Sequence, residues 1–450
     1  MTNEARRFAW LLGAIVLAGL ALRVAYVLIE RRDFMFEGDA VFYHQGANLL
    51  ADGRGFISPF ELADSGRVVE AADHPPLYLV WLAVPSFVGL DTELSHLLWS
   101  CLVGAGSVAL IGLFGREVAS LRIGLLAAGV AAVYPNLWWH DGALMAETMA
   151  IFTATLAIFL AYRYRASPST GRAVALGVAC GLAALTRAEL ALLVPLVVVP
   201  LVWLRRELDS RARLRALAIP VLAFAVTLAP WVGYNLTRFD RPVVISTGFE
   251  LTLNISSCDD TYYGPFTGYL SIECARRTAL RARAEGLDQS EEATRHRRKA
   301  LDYISEHTTR APVVVAARWG RVTGVYRIDQ TVDLGRVEGR EPWVSRLALY
   351  TLWPVMILAA IGAVVLRRRQ TPVYPLVALV AVALVTVALS YGAQRFRAVA
   401  EPALVVLAAV AIASLSRSLA AGRDTRPAGA RSLASDSAPS GRSVAARDDK

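Results

Sequence analysis

The sequence predicts an all-α polytopic membrane protein, with about ten transmembrane helices, juxtamembrane helices outside the cytoplasm and one large outer loop. Three observations predict it. Hydrophobic residues make up 55% of the 450, and mean hydropathy is +0.43. Apolar runs of spanning length recur along the whole chain, and arginine clusters fall in alternate loops between them. A span needs roughly 20 mostly apolar residues to cross about 30 Å of hydrocarbon. A soluble core has no use for a series of such runs.

The first run, residues 8–29, follows Arg6 and Arg7 and has no small-residue cleavage site behind it, so it reads as a retained signal anchor. The others are residues 94–114, 123–139, 148–162, 173–185, 190–204, 214–232, 343–366, 373–391 and 399–415. Between them stand Arg116 and Arg122; then Arg163, Arg165 and Arg172; then Arg205, Arg206, Arg211, Arg213 and Arg215; then Arg367, Arg368 and Arg369. That alternation is the positive-inside pattern. It places both termini in the cytoplasm of a multi-pass cell (inner) membrane protein. It also accounts for the net charge of +9 without nucleic acid.

The topology leaves two sizeable segments outside the cytoplasm and divides the chain into four parts. Residues 1–235 form an N-terminal transmembrane module, which includes the first outer loop, 30–93. Residues 236–342 are a second outer segment, 343–416 the C-terminal transmembrane helices, and 417–450 a tail whose Ser, Ala, Arg and Asp show no periodicity and predict disorder. In the first outer loop an amphipathic helix over 40–51 precedes the turn Asp52-Gly-Arg-Gly55. A short apolar stretch, 74–90, broken by Pro85, predicts a helix lying at the membrane surface. The second outer segment begins turn-rich. It then predicts a polar helix with Ser290 as N-cap and Glu291 and Glu292 in its first turn, ending near His307. Arg318-Trp-Gly-Arg321 would return the chain to the membrane. Cys101 and Cys180 fall in apolar helices and read as small hydrophobes. Cys258 and Cys274 share the outer segment, where oxidation is permitted, and are expected to form a disulfide.

Outer loops of such a protein should be poor in arginine, and two are not. Gly-Ala-Gln-Arg395-Phe-Arg397 follows Tyr391, and Arg187 and Glu189 follow Thr186. A planar guanidinium suits an anionic ligand such as phosphate; the alternative is an arginine snorkelling to the interface. Arg23, inside the first span, reads as the latter. The same face gathers acids. Asp39 opens the amphipathic helix that carries Tyr43, and Asp141 and Glu147 flank the loop between the third and fourth spans. A carboxylate at a helix start is commonly a dipole partner, and Asp141 reads equally as that or as a site acid. Glu147 opens an otherwise apolar helix and must face something polar. His74 is fixed by two following prolines, with no second histidine or cysteine at zinc-ligand spacing. No P-loop, dinucleotide fingerprint or nucleophile elbow occurs.

In this order, Gly38-Asp39 with Tyr43, His74-Pro-Pro-Leu77, Glu147, Thr186-Arg187 and Arg395-Phe-Arg397 resemble the polyprenyl-phosphate-dependent GT-C glycosyltransferases. Within that class they are most similar to the protein O-mannosyltransferase and lipid A aminoarabinose transferase branch. The resemblance covers residues 8–235 and 343–415. It implies a GT-C-like fold and transfer of a sugar from a polyprenyl-phosphate carrier to an acceptor (glycan, lipid or protein) outside the cytoplasm. It further implies Asp39 as general base, Glu147 as a second acid, and His74, Arg395 and Arg397 as phosphate binders; Arg187 and Tyr43 join them as candidate substrate-binding residues. Relatives often carry two adjacent acids in the first loop, whereas Ala40 follows Asp39 here. A divalent metal therefore stays open. The rival functions are a lipid-linked sugar flippase, which could use the same arginines without the acids, and a secondary transporter, which would favour repeats and a midplane site.

Overall fold

The computed structural model describes residues 2–336 and 338–424, with side chains to 417. Among the described residues there is no strand, only one isolated bridge between Ile57 and Glu70. All ten apolar runs are helical. Five helices are long and apolar enough to cross a membrane, and a sixth candidate is a pair bent by 67° at Tyr134, residues 121–133 and 135–142. The remaining four runs form helices that are shorter or more polar, so length and composition do not establish a count of ten.

In chain order, α1 (Asn3–Tyr26) leads through a π-helical turn, Val27–Arg31, to α2 (Asp39–Ala51) and α3 (Leu77–Ser86). The bundle continues with α4 (Glu93–Val118), α5 (Leu121–Val133), α6 (Glu147–Ala166), α7 (Thr170–Ala184) and α8 (Ser210–Leu236). Serine or threonine caps start several of them: Thr2, Thr92, Ser120 and Ser169 each accept a first-turn backbone N–H. Prolines at 195 and 200 break the run between α7 and α8 into 3-10, π and α pieces. Small residues let the helices approach closely. A Cβ on Gly104 of α4 would lie 2.0 Å from the Asp141 carboxylate.

The second outer segment is more helical than its sequence suggests. The half expected to be turns contains α9 (Gly248–Ile255) and α10 (Glu273–Ala284), held by a disulfide between Cys258 and Cys274. The polar helix is α11 (Gln289–Glu306), and its N-cap is Asp288, whose carboxylate accepts from the Glu291 N–H. Ser290 lies two residues inside, in the first turn. Arg318-Trp-Gly-Arg321, expected to return the chain to the membrane, lies within α12 (Ala311–Thr323). There Arg318 donates to the Ala388 and Ser256 carbonyls and Arg321 to that of Thr267, clamping the outer segment onto the end of the bundle. The return is made by α13 (Pro342–Arg368), followed by α14 (Tyr374–Leu389), a 3-10 turn, Gln394–Ala400, and α15 (Glu401–Asp424). Helix therefore runs into the segment expected to be disordered from 417; residues 425–450 of that tail lie outside the described residues.

Candidate functional site

Asp39 owes its position to backbone conformation. Gly38 stands before α2 at φ +56° and ψ −127°, a region open essentially to glycine alone. The turn delivers Asp39 as the first residue of α2, where a carboxylate also suits the helix dipole. His74 arrives from the other side of the first outer loop, its ring tilted against those of Phe42 and Tyr43 with centroids 4.7 and 4.9 Å apart. Glu147 begins α6 after a loop in which buried Leu144 is held left-handed at φ +50°, a strained state for a bulky side chain. Arg187 follows α7, and Arg395 lies in the 3-10 turn before α15.

These residues form one network at one end of the bundle. Arg395 Nη1 donates to Asp39 Oδ2 at 2.7 Å and Nη2 to the Tyr391 hydroxyl at 2.9 Å. His74 Nε2 lies 3.7 Å from Asp39 Oδ1. Arg187 bridges Glu147 and Glu189, both at 2.5 Å, with its guanidinium 5.0 Å from the Phe396 ring centre. Arg395 Nε lies 3.9 Å from Glu147 and 3.4 Å from Glu338. It is buried and makes no hydrogen bond to the protein. Tyr43 is buried behind His74 and against Tyr78.

The electrostatics follow from this crowding. Burial acts to raise the Asp39 pKa, but Arg395, then His74 and Arg187, more than offset it and hold the carboxyl well below its usual range. Tyr43 is pushed well above its ordinary range, first by burial and then by the Asp39 and Glu147 charges, so it stays a phenol. Glu338 is raised by burial, against the pull of Arg395 and Arg340.

Arg397 does not join the cluster. Its guanidinium points into the bundle, to Glu401 at 2.5 Å, Asn136 at 2.8 Å and the Val322 carbonyl. Asp141 also faces away: it pairs with Arg23 at 2.6 Å and accepts from Thr148. Two participants were not singled out in sequence, Glu338 and Tyr391. Glu338 lies in a charged linker, Arg336 to Glu341, whose composition resembles any solvated loop. Its place depends on distant anchors, Arg31 with Glu341 at 2.6 Å and Arg340 with Gln394 at 2.5 Å.

Three carboxylates, Asp39, Glu147 and Glu338, converge on a cation of the chain itself, Arg395. Two other groups bring three potential ligand atoms within 4.8 Å of one another: Cys258, Asp260 and Cys274, and Asp240, Asp288 and Glu291. The cysteines of the first are consumed in the disulfide.

Fold and site together define a multi-pass helical membrane protein with a polar, cation-bearing cluster at one end of its helices. A family model described as dolichyl-phosphate-mannose-protein mannosyltransferase matches residues 73–232, a stretch that contains His74, Glu147 and Arg187. No curated protein matches the chain in sequence. The archaeal oligosaccharyltransferase AglB from Archaeoglobus fulgidus, in complex with an inhibitory peptide and a dolichol-phosphate, aligns with TM-score 0.56 and 12% identity over 94% of this chain and 52% of AglB. A structure of the Archaeoglobus fulgidus oligosaccharyltransferase with Zn and sulfate gives 0.52 and 14% over 91% and 49%. ArnT from Cupriavidus metallidurans bound to undecaprenyl phosphate gives 0.45 and 15% over 93% and 80%. The chain spans about half the length of the oligosaccharyltransferase whose fold it shares. Its fold is thus GT-C-like, and it resembles the polyprenyl-phosphate-dependent GT-C glycosyltransferases, as the ordered motifs imply.

Proposed function

We propose that the protein is a membrane glycosyltransferase that moves one sugar from a polyprenyl-phosphate donor to an acceptor hydroxyl outside the cytoplasm. The observation that carries this reading is the Asp39–Arg395 pair, a carboxylate and a guanidinium at 2.7 Å in a cluster that Arg187, Glu147 and His74 complete.

In the reaction, the acceptor oxygen attacks the anomeric carbon and its proton passes to Asp39. The bond from that carbon to the phosphate oxygen breaks, and the leaving polyprenyl phosphate takes up the electron pair. Arg395 and Arg187 stabilise the charge that develops there. A single displacement inverts the anomeric configuration.

Asp39 cannot act well while Arg395 holds it, since a carboxylate of depressed pKa is a weak base. The donor resolves this. Its phosphate competes with Asp39 for the guanidinium, and the free Nε–H of Arg395 offers a first contact. Drawing Arg395 toward the phosphate releases Asp39 and raises its basicity, so donor binding precedes acceptor activation.

The test is purified protein with a panel of polyprenyl-phosphate sugars, scored for loss of sugar from the lipid. Transfer that depends on Asp39 supports the reading. Sugars that stay on their lipids yet cross a proteoliposome bilayer would make the protein a flippase instead.

A further inference from the structure

A sizeable cavity lies at the opposite end of the bundle from Asp39. It has a volume of about 790 Å³. The length of α6 separates the two regions: Glu147 begins this helix of 20 residues and Arg165 stands in its last turn, roughly 30 Å away at 1.5 Å per residue. Arg165 from α6, Arg205 from the loop before α8, and Arg367 from the end of α13 all line it, with Tyr164, Thr371 and Tyr374.

Topology alone explains arginines at this end, but not their arrangement. Arginines near helix C-termini usually satisfy terminal carbonyls, and that task is already done. At the end of α6, Arg172 donates to the Arg163 and Ser167 carbonyls. At the end of α13, the backbone N–H groups of Gln370 and Thr371 bond the Arg367 and Leu366 carbonyls. That turn forces Gln370 left-handed at φ +59°, at a place where glycine is the usual residue. Arg165 and Arg367 are left without a carboxylate or carbonyl partner among the described residues. The only acid lining the cavity is Glu207, already bonded to Arg205 at 2.8 Å and itself largely exposed.

Leu201, Leu204 and Val373 add apolar lining. Leu204 and the neighbouring Trp203 are exposed, as residues facing lipid would be. Unpaired guanidiniums beside apolar lining at a membrane surface match a ligand with an anionic head and a hydrocarbon tail. We propose that this cavity is a second phosphate site, one that takes the phosphomonoester headgroup of a lipid at the arginine-rich face. It serves no step of the transfer proposed above and stands or falls separately.

The test uses the full chain in phosphatidylcholine vesicles containing a photoactivatable phosphatidic acid or a photoactivatable polyprenyl monophosphate. Cross-linked peptides are mapped, which separates this site from the cluster around Asp39. The expected result is labelling within residues 164–168, 201–207 and 370–374. In R165Q/R367Q it falls at least about tenfold, because each lost charge-assisted contact is worth roughly that factor in affinity. R165K/R367K retains most of it. The arm with the higher yield identifies the lipid, and loss of label from both on adding inorganic phosphate makes free phosphate the ligand. The proposal is overturned if a photoactivatable phosphatidylcholine labels these segments equally, if they are not labelled, or if R165Q/R367Q labels like the unaltered protein.

Discussion

Two arginine–aspartate pairs at the same end of the bundle have almost the same separation and opposite surroundings. Arg23 and Asp141 meet at 2.6 Å with both side chains buried, and every nitrogen of Arg23 has a partner. Arg23 also donates to the Gly19, Ala131 and Ala132 carbonyls, and Asp141 accepts from Thr148. Arg395 and Asp39 meet at 2.7 Å, but Asp39 is 33% exposed, and Arg395 is shared among competing carboxylates with one N–H unused. A saturated pair can only hold helices together. An oversubscribed pair can exchange one partner for a ligand at little cost, because another carboxylate is always at hand.

The largest expected effect comes from the exchangeable pair. Asp39→Asn should give a folded, inserted protein that binds donor and loses about 10²–10⁴ in transfer rate, the usual cost of removing a general base. Glu37→Gln, two residues away and exposed, should transfer normally. If Asp39→Asn turns over like the unaltered protein while Glu147→Gln is inactive, the base is the other carboxylate. The pH profile adds a second readout. The Asp39 pKa is lowered in the donor-free protein, so its carboxylate stays ionised throughout the ordinary acidic assay range. Its pairing likewise stabilises the fold above the unfolded carboxylate pKa and is lost only as pH falls through the depressed folded value. The acid limb of kcat/KM should therefore lie elsewhere, and Asp39→Asn should not remove it.

For the saturated pair the prediction is the reverse: stability falls and turnover per folded molecule does not. Arg23→Gln leaves Asp141 buried without its cation, which typically costs roughly 3–5 kcal/mol. Thermal unfolding in detergent should record it, and activity normalised to folded protein should stay near that of the unaltered chain. A selective loss of donor affinity without destabilisation would put Arg23 in the site.

Much of this contrast was legible before the structure, and its gaps have physical reasons. The ten apolar runs announce their helices, because hydropathy over a span is strong and local. The outer segment was harder: α10, Glu-Cys-Ala-Arg-Arg-Thr-Ala-Leu, is rich in good helix formers, but the turn signals around Tyr263-Gly-Pro obscured it. Glu147, Arg187 and Arg395 stand out as charges where an apolar helix or an outer loop discourages them, and Asp39, Tyr43 and His74 through the ordered motifs of the first outer loop. Arg397 stands out for the same reason as Arg395 and does something else. A 3-10 turn advances about 120° per residue, so residues two apart point in different directions. Arg395 faces the carboxylate cluster and Arg397 turns inward to Glu401 and Asn136. Sequence shows that both are unusual; only the turn type separates them.

That separation predicts two kinds of defect from neighbouring arginines. Arg395→Gln should raise the donor KM by roughly 10–100-fold, the worth of a charge-assisted contact, and leave the unfolding midpoint near its usual value. Arg397→Gln should lower the midpoint, because buried Glu401, whose other hydrogen-bond partner among the described residues is the Tyr134 hydroxyl, loses its cation. Swapped phenotypes would reverse the assignment and restore Arg397 as a donor contact.

The smallest effect probes the competition itself. Glu338 approaches Arg395 Nε at 3.4 Å without a hydrogen bond, and its pKa is raised by burial. It therefore contributes little to holding the guanidinium, yet it occupies the side of Arg395 from which a phosphate oxygen would bind. Glu338→Gln removes one competing charge and keeps the shape of the side chain. If donor phosphate draws Arg395 away from its carboxylates, that substitution should lower the donor KM by about two- to fivefold, the range expected for a weak ion pair. It should leave kcat unchanged, because Asp39 still accepts the proton. A stabilising role for Glu338 predicts the opposite sign, with a higher KM as Arg395 loses a partner that orients it. Steady-state kinetics at saturating acceptor distinguish the two, and a rise in KM would end the competition account while leaving Asp39 as the base.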